Sequence, residues 1–526
     1  MSILEYVPAD QRVSAMPLQE RARLGAVPRR GMCSTVPAKT PGDALLSGNG
    51  KMWVEVFGDP LSEQVVFHQE KLLQPWLDHP LQAPQIASVL PEVRRLILAG
   101  EYRKSLELSL KAAEQTDTKP GTDNLKPHPA FDMRIVASAP HAVSDYLRTT
   151  NFESGEISVT WKDTDGIWVR RTFVSRPDNA VVQLLKAPDG GTINGTLQLD
   201  TSMVLPNEPT QGTFTRFAER AAQSGTTHER GAEQIRFFRA FDPHHLVLQG
   251  YYSTVHGHPG YASVTRVIAN GGNVRVRNDE LILYRVRSLT LITRIDTWPE
   301  MERKDVDALE KAVDQVTPDY ETLLARHAPE QANVIDRVSV DFGGLSLHSM
   351  SGEEMLIDQR TRQGYNPALL EDMLDMGRYW LYLRTGDYPP MWGHININVN
   401  LQISSAVMGN IPEAIAAYTH WLEGLLPDAK VNAENIFGMP GVLLGIHPTV
   451  EGDPLTHFDF TWPHQYWISG GGWMYSLLWD YYLATGDREF LRQHILPGLK
   501  ELALFYESYL TIKDKTGHYI FVPSYS

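Results

Sequence analysis

From about residue 41 to residue 296 apolar and polar positions alternate with period two, the pattern of strands that bury one face. Ile157, Val159 and Trp161 alternate with polar neighbours, and Asp163-Thr164-Asp165-Gly166 then supplies turn chemistry before Ile167-Trp168-Val169 resumes the pattern. This predicts a hairpin. Further strands are predicted at Val181 to Leu185, Thr196 to Asp200, Leu246 to Tyr252 and Leu281 to Thr293. One helical interruption stands out. Pro91 sits at a helix start, Val93, Leu96 and Ile97 take helical spacing, and Gly100 ends the helix before a second one near 101–115. Many short strands in succession predict a large antiparallel sandwich over 41–296. Residues 1–40, rich in Pro, Arg and Ser without a sustained period, read as an extended arm.

After Trp298-Pro299 the period changes. Residues 297–345 are charged and helical and suit a linker. From 346 to 526 the spacing is 3.6 and strands are scarce. Asn366-Pro367 opens a helix as cap and first-turn proline, and Leu370, Met373, Leu374, Gly377, Trp380 and Leu381 share one broad face of it. Tyr382-Leu383-Arg384-Thr385-Gly386-Asp387 is echoed 100 residues later by Tyr482-Leu483-Ala484-Thr485-Gly486-Asp487. Both copies close an aromatic-rich helix with a glycine able to take the left-handed conformation. A repeat holding two or more helices per unit suits a toroid of stacked hairpins, whereas chance matching of a common helix stop is the plainer reading.

At 526 residues the chain is too long for one core. Lys plus Arg total 48 against 63 acidic residues, a net charge of -15, which disfavours nucleic acid and anionic lipid as partners. The single cysteine, Cys33, rules out an internal disulfide framework. No charged n-region followed by an apolar h-region opens the chain, and no apolar run approaches a bilayer span. A soluble protein is expected, cytoplasmic if the N-terminus is genuine. Of 12 Trp, seven fall within the last third. Sugar rings stack on flat aromatic faces, although helical cores also use Trp.

Two segments carry candidate chemistry. In Met391-Trp392-Gly393-His394-Ile395-Asn396-Ile397-Asn398-Val399-Asn400, strand alternation puts Ile395, Ile397 and Val399 on one side and His394, Asn396, Asn398 and Asn400 on the other. A row of carboxamides, each both donor and acceptor, can hold a water or several sugar hydroxyls in fixed orientation. It can equally be an Asn-rich turn that satisfies its own backbone. In the helix Gly470 to Tyr481, Trp473, Ser476, Leu477, Asp480 and Ala484 share a face. A carboxyl buried among aromatic rings is expected to have a raised pKa, as a general acid needs; a solvated Asp480 is the alternative.

Several segments, in order, resemble glycoside hydrolase family 95, the inverting α-L-fucosidases. Ala44-Leu45-Leu46-Ser47-Gly48-Asn49-Gly50 with Val56-Phe57-Gly58 resembles the family's opening segment. Leu90-Pro91-Glu92-Val93-Arg94-Arg95-Leu96 resembles its first helix, and Arg171-Thr172-Phe173-Val174-Ser175-Arg176-Pro177-Asp178 one of its strands. Asn396-Ile397-Asn398 and Leu478-Trp479-Asp480 resemble its two catalytic motifs. The resemblance implies a multidomain α+β chain: an N-terminal antiparallel β-super-sandwich, a helical linker, then a partial (α/α)6 barrel. It implies hydrolysis of a terminal α-L-fucosyl or related α-linked sugar by inversion, with Asp480 as general acid and Asn396 and Asn398 positioning water. Trp392, His394, Trp467 and Trp473 are the expected substrate-binding residues, and the substrate an oligosaccharide or glycoconjugate. No metal and no cofactor are expected. Asp480 stands where the family has Glu, and the segment around Gly445-Ile446-His447-Pro448-Thr449 does not reproduce the family's pattern. The resemblance also implies that the general base and part of the barrel lie beyond Ser526, so that this chain alone turns over little and exposes apolar helix faces. A catalytically degenerate carbohydrate-binding homologue and, with less support, a glycoside phosphorylase are the competing readings.

Overall fold

The computed structural model describes residues 13–75, 83–115, 121–122, 125–138, 142–203, 235–252, 259–298, 302–390, 399–445, 457–458 and 463–525. Two large sheets dominate the first half. One has ten strands. Edge to edge it runs Val13–Ala15, Val143–Asn151, Ile157–Lys162, Ile167–Ser175, Ala180–Lys186, Ser288–Thr297, Gly260–Asn270, His245–Tyr251 and Arg236–Phe241, and Gly31–Ser34 also pairs with Val143–Asn151. The other has seven, in the order Asn273–Arg277, Glu280–Val286, Ile193–Asp200, Phe131–Ala137, Ser62–Gln69, Met52–Val56 and Leu45–Gly48. Val13–Ala15 pairs parallel with its neighbour. The rest of both sheets is antiparallel.

The sheets pack face to face over one core, to which Tyr146, Val159, Leu248 and Leu291 come from the larger sheet and Val54, Phe67, Met133 and Leu197 from the smaller. The run Ala180-Val181-Val182 is apolar throughout because both faces of the larger sheet are covered. Val181 enters the core between the sheets, and Val182 enters a second core on the outer face. That outer core is closed by Val306, Leu309, Val313 and Leu323. These lie on two helices, Arg303–Asp314 and Tyr320–Ile335, so the charged segment read as a linker packs its apolar stripe onto the sandwich.

The predicted hairpin is present: Lys162 faces Ile167 across the turn, and the Asp163 carboxylate accepts the amides of Asp165 and Gly166. The apolar stretch Leu281 to Thr293, expected as one strand, is two strands in different sheets, Glu280–Val286 and Ser288–Thr297. Arg287 lies between them. Residues 13–34 are not extended throughout; they form a strand, a short helix and a second strand that strap the sandwich to the helical half. Arg30 of this strap pairs with Asp375 and donates to the carbonyls of Ile335 and Val338.

The second half is helical, and we label its principal helices α1 (Gly352–Thr361), α2 (Pro367–Leu383), α3 (Val399–Ile403), α4 (Ser405–Met408), α5 (Pro412–Gly424), α6 (Leu426–Asn432), α7 (Gly470–Thr485) and α8 (Leu496–Tyr509). Asn366 caps α2 as expected, its side chain accepting from the Leu369 amide at 3.1 Å. The buried face of α2 differs from the expected one. Ala368, Glu371, Arg378, Tyr379, Leu381 and Tyr382 are inside, while Met373, Leu374 and Met376 are exposed. Polar residues take inner positions because each has partners there: Arg378 donates to the carbonyls of Val334, Ile335 and Gly409, and Glu371 accepts from the amides of Phe342 and Gly344.

The two copies of the repeat are used differently. In both, the threonine hydroxyl reaches back one turn, Thr385 to Leu381 and Thr485 to Tyr481. Gly486 then takes the left-handed conformation at φ 68° and ends α7. Gly386 does not. It presses instead on Gly50 and Glu70 of the sandwich, where a Cβ would meet the Glu70 carboxylate at 2.5 Å. Among the described residues, no helix is long and apolar enough to cross a membrane.

Candidate active site

The site is built around the first turn of α7. Gly470 and Gly471 open the helix because neighbouring groups occupy the space a side chain would need. A Cβ on Gly470 would lie 2.4 Å from the Trp467 ring, and one on Gly471 2.2 Å from Leu502 of α8. Met474, Tyr475, Leu477 and Leu478 pack inward, and the Tyr418 hydroxyl of α5 donates to the Met474 carbonyl at 3.1 Å. The opposite face is open to solvent and holds Trp473, Ser476, Trp479, Asp480 and Leu483.

Asp480 is therefore exposed. The expectation of a carboxyl buried among aromatic rings is corrected by the helix phase. Leu477, assigned to the same face, turns inward, and Trp473 and Trp479 flank Asp480 while being themselves 45% and 41% exposed. Ser476 is engaged locally, its hydroxyl donating to the Trp473 carbonyl at 2.6 Å. Trp467 is half-buried beside Gly470.

Trp392, His394, Asn396 and Asn398 lie outside the described residues. Asn400, the last of the carboxamide row, is described and is helical rather than extended, so the strand alternation does not reach it. It is 5% exposed, and its Nδ2 donates to the Trp473 carbonyl at 3.2 Å while its Oδ1 has no partner. The end of the row and the first turn of α7 are thus in direct contact. Of the sequence-predicted groups, this is the pairing the structure brings together.

A residue that sequence reasoning missed is Gln465, in the short 3-10 turn His464–Tyr466 just before Trp467. Its side chain is fully buried with neither carboxamide atom hydrogen-bonded. An unpartnered buried amide costs about 1–3 kcal/mol and usually marks a place where water or a ligand supplies the missing partner. Its only signal in the sequence is a polar residue set between the aromatics Tyr466 and Trp462. Tyr475 is similar, buried with its hydroxyl unpartnered and held against Gly498, where a Cβ would lie 1.8 Å from the phenolic oxygen. The arrangement offers carboxamides and a hydroxyl inside, and aromatic faces with one carboxylate outside. Carboxamides and hydroxyls are both donors and acceptors, the hydrogen-bonding character that neutral hydroxylated ligands share.

Residues 319–526 match the model of the glycosyl hydrolase family 95 catalytic domain. Residues 32–299 match that of the glycosyl hydrolase family 65 N-terminal domain. Alpha-L-fucosidase 2 of Arabidopsis thaliana is 22% identical over 523 residues, an alignment that takes in 91% of this chain and 59% of that protein. A solved structure, the putative kojibiose phosphorylase from human microbiome, aligns with a TM-score of 0.53 at 10% identity, over 90% of this chain and 59% of the other. At that identity the likeness speaks for the fold alone. In both alignments the chain spans 59% of the other protein.

Proposed function

This chain belongs to glycoside hydrolase family 95, and from that premise we propose that it acts on a terminal α-L-fucosyl or related α-linked sugar of an oligosaccharide or glycoconjugate, with inversion. The helical half is read as part of an (α/α)6 barrel, with the sandwich over 41–296 and the helices of 297–345 between the two. Asp480 protonates the leaving oxygen, Asn396 and Asn398 hold the attacking water, and Trp392, His394, Trp467 and Trp473 receive the sugar ring. The observation that carries the reading is the hydrogen bond from Asn400 to the Trp473 carbonyl, which joins the end of the carboxamide row to the helix bearing Asp480. Asp480 lies seven residues past Trp473, about 10 Å along the helix axis.

This reading names an acid and two water-holding amides but no base, and inversion needs one. Binding is therefore the first test and turnover the second. Titration of L-fucose, L-galactose and D-glucose against tryptophan fluorescence is expected to show saturable binding of the L-sugars, weakened at least tenfold in Asn396→Ala and Asn398→Ala. Binding of none of the three, or binding that both variants leave unchanged, overturns the assignment. A second reading, a carbohydrate-binding homologue without catalysis, is favoured by the exposure of Asp480, where the general-acid reading expects a carboxyl enclosed by aromatic rings.

A further inference from the structure

Four of the fifteen residues from Asn273 to Arg287 are arginines, in a chain whose net charge is -15. They lie on and just after the hairpin of strands Asn273–Arg277 and Glu280–Val286, the first of which is an edge of the seven-stranded sheet. Arg277 is neutralised by Glu280 at 2.6 Å. Arg275, Arg285 and Arg287 are exposed, and among the described residues none of the three forms an ion pair. Charge on an edge strand has an ordinary explanation, since it keeps sheets from joining edge to edge. That explanation covers Arg275. It does not cover Arg285, which belongs to the second strand and has a hydrogen-bonded strand on either side.

Arg285 reaches the surface through an irregularity of the backbone. In its strand Leu281 and Leu283 enter the core, while Tyr284 is 60% exposed. Strict alternation would bury Arg285 beside Leu283. Instead the pairing with Ile193–Asp200 shifts register between Ile193 and Gly195, Arg285 takes φ 54°, and the Asn194 Oδ1 accepts its amide at 2.9 Å. Val286 then returns to the core. A left-handed conformation costs a residue other than glycine free energy, and bulges recur where a sheet re-aims a side chain. Arg287 follows over the turn Gly271-Gly272, where a Cβ on Gly271 would meet its Nε at 3.0 Å. Arg275 sits opposite Ile282, so cations and the Tyr284 ring succeed one another along the hairpin. Five residues separate Ile282 from Arg287, about 17 Å at about 3.4 Å each.

We propose that this track binds an acidic polysaccharide, its guanidiniums pairing with carboxylate or sulfate groups and the Tyr284 ring packing on a sugar face. A glycan is the polymer that a member of a glycoside hydrolase family meets as it works. The proposal rests on the family and not on the sugar taken at α7, so its failure leaves the proposed function as it stands. Nucleic acid fits less well. Duplex DNA carries one charge per about 1.7 Å of axis, and the rest of this acidic surface repels so dense a polyanion. Three cations along about 17 Å suit a glycan charged once every sugar or two.

The test is titration of the full chain against fluorescein-labelled polygalacturonate, heparin, neutral dextran and single-stranded DNA, read by anisotropy. The wild type is expected to bind at least one acidic polysaccharide more tightly than dextran or DNA. That affinity should fall about tenfold between about 50 mM and about 200 mM salt. Arg285→Gly separates the cation from the fold, because glycine accepts the left-handed bulge. It should weaken binding about threefold to fivefold, and adding Arg275→Gln and Arg287→Gln should bring the loss to about tenfold or more. If the thermal midpoint shows that the glycine variant does not fold, Arg275→Gln alone carries the comparison. The proposal is overturned if the wild type binds neither acidic polymer, if dextran or DNA binds as tightly, or if the folded variants bind as the wild type does.

Discussion

Replacing Gly50 by alanine tests whether the two halves are locked or merely adjacent. Gly50 sits at φ +90°, a conformation that an L-residue adopts at a cost of roughly 1–3 kcal/mol. Its new Cβ would fall 1.9 Å from the Thr385 carbonyl oxygen and 2.5 Å from the Thr385 carbon. Both are backbone atoms at the end of α2, so no flexible side chain can swing clear. The segment must shift, which adds about 1–3 kcal/mol of overpacking strain and stretches the hydrogen bond from the Gly50 amide to the Leu383 carbonyl. The total is about 2–6 kcal/mol. In a unit of this size about 1 kcal/mol moves the midpoint by roughly 2–4 °C, so thermal unfolding followed by tryptophan fluorescence should show a drop of about 4–24 °C. A midpoint within about 1 °C of wild type would mean that the halves yield freely at this contact, and the argument for a rigid seam would be wrong.

Gly472→Ala is the complement: nothing lies within 4 Å of the new Cβ on the exposed face of α7, so stability should rise by about 0.5–1 kcal/mol, and a fall would show a contact that the helix phase excludes. Asp480→Asn, at an exposed position, should leave the unfolding midpoint within about 0.5 kcal/mol of wild type. If this chain turns over α-L-fucosides, the same variant should lower kcat by about 100-fold or more on alkoxide leaving groups but far less on 4-nitrophenyl α-L-fucoside, whose leaving group needs no proton; equal losses on both would rule out the acid role. His327 is fully buried, accepts the Arg176 amide at 3.3 Å, and burial, then Arg176, pull it down to about 4. The unfolded chain therefore takes up a proton that the folded chain refuses, so stability is lost as pH falls from about 6.5 to 4, by up to about 3 kcal/mol. Denaturant titrations should show a shallower acid limb in His327→Gln.

Local signals carried much of this fold into the sequence. The turn at Asp163 to Gly166, the helix opened by Pro91 and the cap at Asn366 all depend on residues within a few positions of one another, and all are where the chain indicates. What depends on distant partners was not legible. The apolar stretch from Leu281 to Val286 and on to Thr293 looks continuous, because nothing local reveals that its two parts join different sheets. The buried face of α2 was misjudged because Arg378 and Glu371 read as solvent-facing until their partners at Val334, Ile335, Phe342 and Gly344 are known. The same limit governs the site. Spacing put Trp473 and Asp480 on one face of α7, where they are, but could not tell whether that face is covered. Gln465 gave no periodic signal at all; it matters through what surrounds it in space.

The most direct measurement of the central claim is a crystal structure of the chain soaked with L-fucose. The account predicts the sugar against Trp473, with the Asp480 carboxylate within hydrogen-bond distance of the anomeric oxygen and the amides of Asn396 and Asn398 on the opposite side of the ring. A sugar bound elsewhere, or an Asp480 side chain turned away from both amides, would contradict it.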